Sequence, residues 1–433
     1  MERYNKSNLA ILYDKDIGLL YDVPTNLVLK VPANVAEFLE GVQSGSDSYE
    51  KQKFEKYMRK YTADRDETIP THHTFLDDNV LQKLTIMLAN TCNLACKYCF
   101  ANEGAYDDYK QQIMSPKTAI NYINALLDSR FYYINHVQFF GGEPMLGYLA
   151  MDGICNHFEK LYNQGKIKRR PIYTIITNLT VLDEYALAII KKHNIKVTVS
   201  IDGPKDIHDR NRVTKEGKGT FDIVERNIMK LGSNFKAIEA TYTKEHLADG
   251  WTLDSLKRYF RDKYGINTVV VACALGENEH CFNPIKEPIP IPERQEIDTE
   301  RAQLLKAFSP EFQNDLMCTA GFNALSMMSN GDLFPCHTYA LDKRFKMGYY
   351  DPEDGYKSLH ERCEKVWDLL SCNNKNENEK CKLCWMRKVC KKCLAQELYF
   401  GSYGKYTLYP CEKHVSNFKE FLLYAVKQEE GVI

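Results

Sequence analysis

Three things this sequence lacks narrow its class before any motif is read. It has no charge excess: 57 Lys and Arg stand against 58 Asp and Glu over 433 residues, a formal net charge of −1. That removes the electrostatic argument for generic binding to nucleic acid or to an anionic membrane. It has no run approaching the roughly 18 apolar residues of a membrane span. Its opening, Met1-Glu2-Arg3-Tyr4-Asn5-Lys6, leads into no signal-peptide core, so a cytoplasmic location is expected rather than export. Internal repeats and low-complexity tracts are lacking as well. Cysteine is lacking only from the first ninety residues; the rest of the chain holds 15. In a protein without a secretion signal these thiols do not read as a disulfide framework, because the cytosol keeps thiols reduced. Metal or cluster ligation is the better first reading.

The length accommodates two or three domains, each with its own core, and the cysteines divide it unevenly. Three crowd between 92 and 99, one stands at 155, and eleven lie beyond 270. Residues 1–70 carry short apolar runs at 9–14, 18–23 and 27–31, broken by turn residues, which predicts a small antiparallel meander. Val35, Phe38, Leu39 and Val42 share one helical face, and the charged stretch 50–61 suggests a second helix. With no catalytic grouping, this front end reads as a binding module. Residues 62–75 read as linker.

From 82 to 275 the pattern alternates regularly. Strands are predicted at 84–88, 137–140, 173–177, 197–201, 237–241 and 268–272, with amphipathic helices between them. The clearest helix starts at Ser115-Pro116, an N-cap followed by proline at the first helical position. Six strand–helix units in series imply a parallel sheet with right-handed crossovers, open or barrel-like. Ligands of such folds gather at the carboxyl ends of the strands. Residues 276–312 read as a Pro-rich, charged linker with a helix near 296–307. From 318 onward the strand–helix rhythm stops and cysteine spacing takes over.

The strand ends carry the chemistry. After the first comes Cys92-Asn93-Leu94-Ala95-Cys96-Lys97-Tyr98-Cys99. Three thiolates on one short loop can ligate three irons of a [4Fe–4S] cubane and leave the fourth iron open. A zinc site short of one ligand is the alternative, although zinc motifs usually join a CxxC to a distant second pair. The loop resembles the CxxxCxφC loop of the radical S-adenosylmethionine (SAM) superfamily, with Tyr98 as the aromatic φ. Gly141-Gly142-Glu143-Pro144 after the second strand is similar to that superfamily's motif for the SAM amino group. Ser200 and Asp202 at the fourth strand end match its ribose-binding positions. His208-Asp209-Arg210-Asn211-Arg212, with Gly217, Gly219 and Phe221 downstream, resembles the HDxxR…GxGxF stretch of the SPASM-bearing branch, which makes Arg212 the candidate for the methionyl carboxylate. Thr177-Asn178 is similar to the family's TN turn, but Leu179 stands where a glycine is expected, and no direct ligand role is assigned to that pair.

The resemblance implies a partial (β/α)6 TIM-like barrel over residues 80–305. It also implies a SAM-binding [4Fe–4S] cluster and a 5′-deoxyadenosyl radical that abstracts a substrate hydrogen. Beyond it, Cys318, Cys336, Cys381, Cys384, Cys390, Cys393 and Cys411 are spaced as in the SPASM domain, here residues 310–425. Read on their own they also fit a zinc ribbon. Position by position, Cys381, Cys384, Cys390 and Cys411 would ligate one auxiliary [4Fe–4S] cluster, and Cys318, Cys336 and Cys393 a second. Two residues separate Cys390 from Cys393 where the family usually has three. The second cluster lacks an obvious fourth ligand; Cys363, Cys372, Cys281 or an open site are the alternatives. Cys155 and Cys273 read as small core residues.

Residues 1–75 resemble the RiPP recognition element, a winged-helix-like module that binds a leader peptide by strand addition. The expected partners are then a ribosomally made precursor peptide and an electron donor such as flavodoxin or ferredoxin. The implied activity is an oxidoreductase that installs thioether cross-links in the peptide. Carbon–carbon cross-linking, epimerisation and anaerobic sulfatase maturation are the alternatives within the chemistry, and a non-catalytic zinc or iron–sulfur scaffold the alternative outside it. No catalytic acid or base is singled out.

Overall fold

The computed structural model describes residues 6, 8–25, 27–45, 48–62, 79–106, 110–129, 131–283, 286–287, 290, 316–356, 359, 365–366, 370, 374–376, 378–390, 393, 395 and 411–427. Most of the expected linker, the helix expected at 296–307, and both Cys363 and Cys372 lie outside the described residues. The chain divides into two compact units, one of residues 1–76, 294–318 and 371–433, the other of residues 77–293 and 319–370.

In the first unit, strands β1 (Leu9–Tyr13), β2 (Ile17–Asp22) and β3 (Leu27–Pro32) form an antiparallel sheet in that order. Helices α1 (Ala33–Ser44) and α2 (Ser48–Thr62) follow. The strand sequences are nearly continuous apolar runs because both faces of the sheet are covered. Leu9, Ile11 and Leu20 meet Ala36 of α1 and Phe54 and Met58 of α2. Ala10, Leu12, Leu19, Tyr21, Val23 and Val28 cluster with Met386, Val389, and Phe418, Leu422, Leu423 and Val426 of the helix Cys411–Lys427. Trp385 stands edge-on to Tyr21, with ring centroids 6.1 Å apart.

In the second unit, β4 (Val80–Leu81) pairs with β6 (Tyr133–Ile134), and the main sheet begins with β5 (Lys83–Ala89). Then come α3 (Pro116–Ser129), β7 (His136–Gly141), α4 (Tyr148–Asn163), β8 (Ile172–Thr177), α5 (Glu184–Lys192) and β9 (Lys196–Ser200). They are followed by α6 (Lys205–Asn211), α7 (Phe221–Leu231), β10 (Phe235–Tyr242), α8 (Lys244–Ala248), α9 (Leu253–Tyr264) and β11 (Thr268–Cys273). The sheet order is β11-β10-β9-β8-β7-β5-β12-β13, where β12 is Ala324–Met327 and β13 Leu333–Phe334. Every pair from β11 to β12 is parallel and only β13 is antiparallel.

The six expected strands are all present and adjacent in sequence order. β12 was not expected: four residues after the alternation ends pair parallel with β5 through Leu325 and Leu84. With right-handed crossovers, an unbroken order puts every connecting helix on one face. That face carries Phe139 stacked on Tyr173 at 6.2 Å, with Phe158 of α4 6.4 Å from Tyr173. The opposite face carries Thr85, Gln138, Phe140, Thr174, Thr198, Ser200 and Glu239, set at successive register positions. Much of this inner surface is polar, whereas a closed barrel fills its interior with branched apolar side chains. Among the described residues no helix is long and apolar enough to cross a membrane.

Candidate functional site

The loop after β5 is fastened on two sides by backbone. Ala95 N–H donates to Val213 O at 2.8 Å and Lys97 N–H to Asn211 O at 3.1 Å, while Leu94 bridges Thr214. The segment that ends α6 and carries Arg212 is thereby laid along the Cys92–Cys99 loop. On the other side Glu143 N–H donates to Thr91 O at 3.0 Å. A Cβ on Gly142 would collide with the Thr91 carbonyl and come within 2.9 Å of Gly104 Cα. Glycine at 142 thus serves backbone-to-backbone contact.

Asp202, just past β9, is the hub. It is fully buried, and its Oδ2 accepts the Tyr98 hydroxyl at 2.5 Å. Its Oδ1 accepts Thr241 N–H at 3.0 Å and lies 3.0 Å from Arg212 Nε. The Arg212 guanidinium sits 5.5 Å over the Tyr98 ring. Burial alone would push the Asp202 carboxyl up; Arg212, with the hydrogen bonds from the Tyr98 hydroxyl and Thr241 N–H, outweighs it and holds the group below its ordinary range. Two buried histidines fix the Asp202 backbone. Its N–H donates to His208 Nδ1 at 3.3 Å, and its carbonyl is 2.7 Å from His246 Nε2. His208 Nε2 in turn meets Thr220 Oγ1 at 3.0 Å, and Asp209 Oδ1 accepts Phe221 N–H at 2.8 Å. The HDxxR…GxGxF stretch is therefore one latch with Arg212 at its end.

Glu143 is 1% exposed. Its Oε1 accepts Thr177 Oγ1–H at 2.6 Å and Met145 N–H at 2.8 Å, and its Oε2 accepts Asn178 N–H at 2.8 Å. Burial raises its pKa to about 7 against these bonds. Asn178 Nδ2 then reaches Cys92 Sγ at 3.8 Å and Asn93 Oδ1 at 3.1 Å. Leu179, the residue in place of the expected glycine, is fully buried at φ 56°.

The thiols suit a metal-bound role. Leu94 N–H donates to Cys92 Sγ at 3.4 Å, a bond that favours a thiolate. Burial pushes the free Cys92 and Cys96 thiols up to about 11 and about 12. The cation acting on both, Arg212, is already matched by Asp202. These sulfurs fit positively charged iron. Among the described residues no three His, Cys, Asp or Glu side chains close on a single ion; a cubane instead offers each thiolate its own iron.

The structure therefore brings together Cys92, Cys96, Tyr98, Cys99, Gly142, Glu143, Asp202 and Arg212. Gly141 and Pro144 flank them, and Ser200 stands on the inner face of β9. The later cysteines are divided between the two units. Cys336 belongs to the second unit, where it and Cys99 both raise Tyr106 after burial. Cys318, Cys381, Cys384 and Cys390 are half-buried and Cys393 and Cys411 exposed in the first unit. Cys281 is buried near Asn278, Glu245 and Lys244. Sequence reasoning set aside Asn178 and did not single out His246 or His337, whose ring lies 4.7 Å from Phe140. Position at strand ends was the available signal for Asn178 and His246.

Residues 86–262 match the Radical SAM superfamily. Over 178 residues the chain is 29% identical to the radical SAM cyclopropyl synthase TigE of Paramaledivibacter caminithermalis, covering 38% of this chain and 36% of that enzyme. The chain thus spans about a third of that relative's length. It is 23% identical over 335 residues to a cysteine-type anaerobic sulfatase-maturating enzyme of Clostridium novyi, covering 70% of this chain and 84% of that enzyme. Among solved structures, native anSMEcpe with bound AdoMet superposes with a TM-score of 0.55 at 20% identity, over 80% of this chain and 98% of that one. That likeness is one of fold.

Proposed function

We propose that this chain, which carries a radical SAM domain, installs thioether cross-links in a ribosomally synthesised precursor peptide. The reading is carried by the convergence of the Cys92–Cys99 loop, Glu143, Asp202 and Arg212 at the carboxyl ends of β5, β7 and β9. In it, Cys92, Cys96 and Cys99 hold a [4Fe–4S] cluster that binds SAM, and the pair supplies a 5′-deoxyadenosyl radical for hydrogen abstraction. The chain's own residues position and shield. Arg212, steadied by Asp202 and Tyr98, offers N–H donors to a methionyl carboxylate. The Gly141–Pro144 turn borders the amino group, and Ser200 with Asp202 the ribose. The Glu143–Asn178 network holds Cys92 in place.

Residues 1–75 are the proposed recognition element for the leader. Cys318, Cys336 and Cys393, and Cys381, Cys384, Cys390 and Cys411, are the proposed ligands of two auxiliary clusters in a SPASM domain. A flavodoxin or ferredoxin would deliver the electron. A second reading, oxidation of a cysteine in a protein substrate, is favoured by the length of the sulfatase-maturase match.

Anaerobic reconstitution with iron and sulfide, followed by SAM, tests the cofactor. Replacing Cys92, Cys96 and Cys99 with Ala should abolish 5′-deoxyadenosine formation, and surviving formation would sink the assignment. Tandem mass spectrometry of a reacted precursor separates the two readings. Loss of two hydrogens per bond with alkylation-resistant cysteine indicates thioether, whereas free thiols after turnover reject it.

A further inference from the structure

We infer that the inner face of the parallel sheet carries a site for an aliphatic ammonium group, built on Glu239, and that a lysine side chain of the substrate fills it. The lysine source rests on the peptide reading above; the ammonium site does not.

Glu239 stands on β10 between Ser200 of β9 and Val270 of β11 at the same register level. It shares a face with Thr241, away from the helix-covered Ile238 and Ala240. Several other polar groups of this surface are matched. Asp202 takes the Tyr98 hydroxyl, Thr241 N–H and Arg212, His136 meets Thr174 at 2.8 Å, and Thr85 meets Gln138 at 3.4 Å. Among the described residues the Glu239 carboxylate makes no hydrogen bond or ion pair, although the residue is half-buried. A part-buried carboxylate without a donor carries a desolvation cost that a ligand can offset. Its raised pKa, caused first by that burial, agrees.

The charge balance selects the ligand. Arg212 and Lys83 both act on Glu239, but Arg212 is neutralised by Asp202 at 3.0 Å. Lys83 opens β5, whereas Glu239 lies in the carboxyl half of β10. Glu239 is therefore left without an ion-pair partner of its own among the described residues. Beside it Val270 is 49% exposed, and Thr268 and Ala272 of the same strand face are exposed too. An ammonium can donate to the Glu239 carboxylate while its methylene stem covers Val270 and Ala272.

The test is saturation-transfer NMR on the full chain with n-butylammonium as probe and n-butanol as its neutral isostere. The ammonium should bind about tenfold more tightly than the alcohol. Glu239→Gln should erase that difference, and Val270→Trp, a change at an exposed position, should block both probes. Ammonium binding that survives both substitutions overturns the site. Acetyl-Ala-Lys-Ala-amide against its norleucine counterpart tests the source: lysine-dependent binding lost in Glu239→Gln supports a peptide side chain, and binding of the free amine alone overturns that half. SAM cleavage by the wild-type reconstituted protein is scored separately, so that its failure removes the radical reading and leaves the ammonium result standing.

Discussion

Arg212 Nε stands 3.0 Å from Asp202 Oδ1, where the arginine side chain is 11% exposed and the aspartate 0%. Breaking such a pair from one side leaves a buried charge uncompensated, at a cost of about 3–5 kcal/mol. Asp202→Asn should therefore destabilise the apo protein by that order in urea unfolding. It should also weaken SAM binding at least about tenfold, because Arg212 loses the carboxylate that orients it. The asparagine keeps one acceptor oxygen where the carboxylate offered Oδ2 to Tyr98 and Oδ1 to Thr241, so the charge is lost together with one of these two accepting sites. Wild-type stability in this variant would remove Asp202 as the anchor of Arg212.

Leu179 combines a left-handed backbone, φ 56°, with a fully buried side chain. Its N–H is held by Thr177 Oγ1 at 2.9 Å and its carbonyl by Asn227 Nδ2 at 2.9 Å, so the conformation is imposed from both sides. Left-handed geometry costs an L-residue about 1–2 kcal/mol, whereas a buried leucine cut to alanine loses about 2–5 kcal/mol. Both Leu179→Ala and Leu179→Gly should destabilise. Their order should be the reverse of the usual one, with the glycine variant equal or more stable by about 1 kcal/mol, because glycine alone escapes the strain. Denaturant midpoints of the two variants decide it. An alanine variant clearly above the glycine one would mean the backbone relaxes.

Much of this site could be read from the chain because its parts are local. Cys92, Cys96 and Cys99 fall within one loop, and Val137, Phe139, Tyr173 and Ile175 alternate as half-buried strands do. The six strand ends follow from that alternation. β12 could not be read, since four residues give too short a pattern and its partner β5 lies some 240 residues earlier. Glu143 was legible as a carboxylate in a turn, yet its bonds to Thr177 and Asn178 come from the next strand end, and no local spacing encodes them. Glu239 was hidden inside a strand, where only the neighbours' register reveals which way it faces.

His208 is fully buried and neutral by its bonding: Nδ1 accepts from Asp202 N–H, which leaves Nε2 to donate to Thr220. Burial lowers its pKa from 6.5 to about 4. In the unfolded chain the imidazole takes a proton as pH drops through 6.5, while the folded protein refuses it until about 4. The unfolded state thus binds more protons in that window, and stability is fully present above pH 6.5 and declines as pH falls toward 4. One such histidine contributes a slope of up to about 1.4 kcal/mol per pH unit. His136 and His337 are lowered to about 4 in the same way, so the comparison must be made between proteins. Denaturant unfolding at pH 7 and 5.5 should show a shallower pH slope in His208→Gln than in the wild type. Equal slopes would mean His208 titrates alike in both states.

Tyr21 is fully buried on the sheet face that also covers Met386, Val389, Phe418 and Leu422. Trp385 lies 6.1 Å from Tyr21 and 5.9 Å from Phe418, and Cys384 and Cys390 pack against the same cluster. Residues near the start of the chain and the cysteine-bearing stretch near its end therefore share one core. Tyr21→Ala, by analogy with other large aromatic truncations, should cost about 3–5 kcal/mol, and its effect should appear around Cys384 and Cys390 as faster alkylation. Deleting residues 1–75 should go further and expose the apolar side of the helix Cys411–Lys427, giving aggregation and loss of the fold around Trp385. A leader-binding defect in that deletion would then say nothing about recognition, because the cysteine-bearing stretch is unfolded with it. Tyr13→Phe is the gentler probe: its hydroxyl donates to Glu40 at 2.8 Å on the half-buried end of β1, outside this shared core. Unchanged alkylation of Cys384 and Cys390 after Tyr21→Ala would separate the two ends of the chain and restore the deletion as a test of peptide binding.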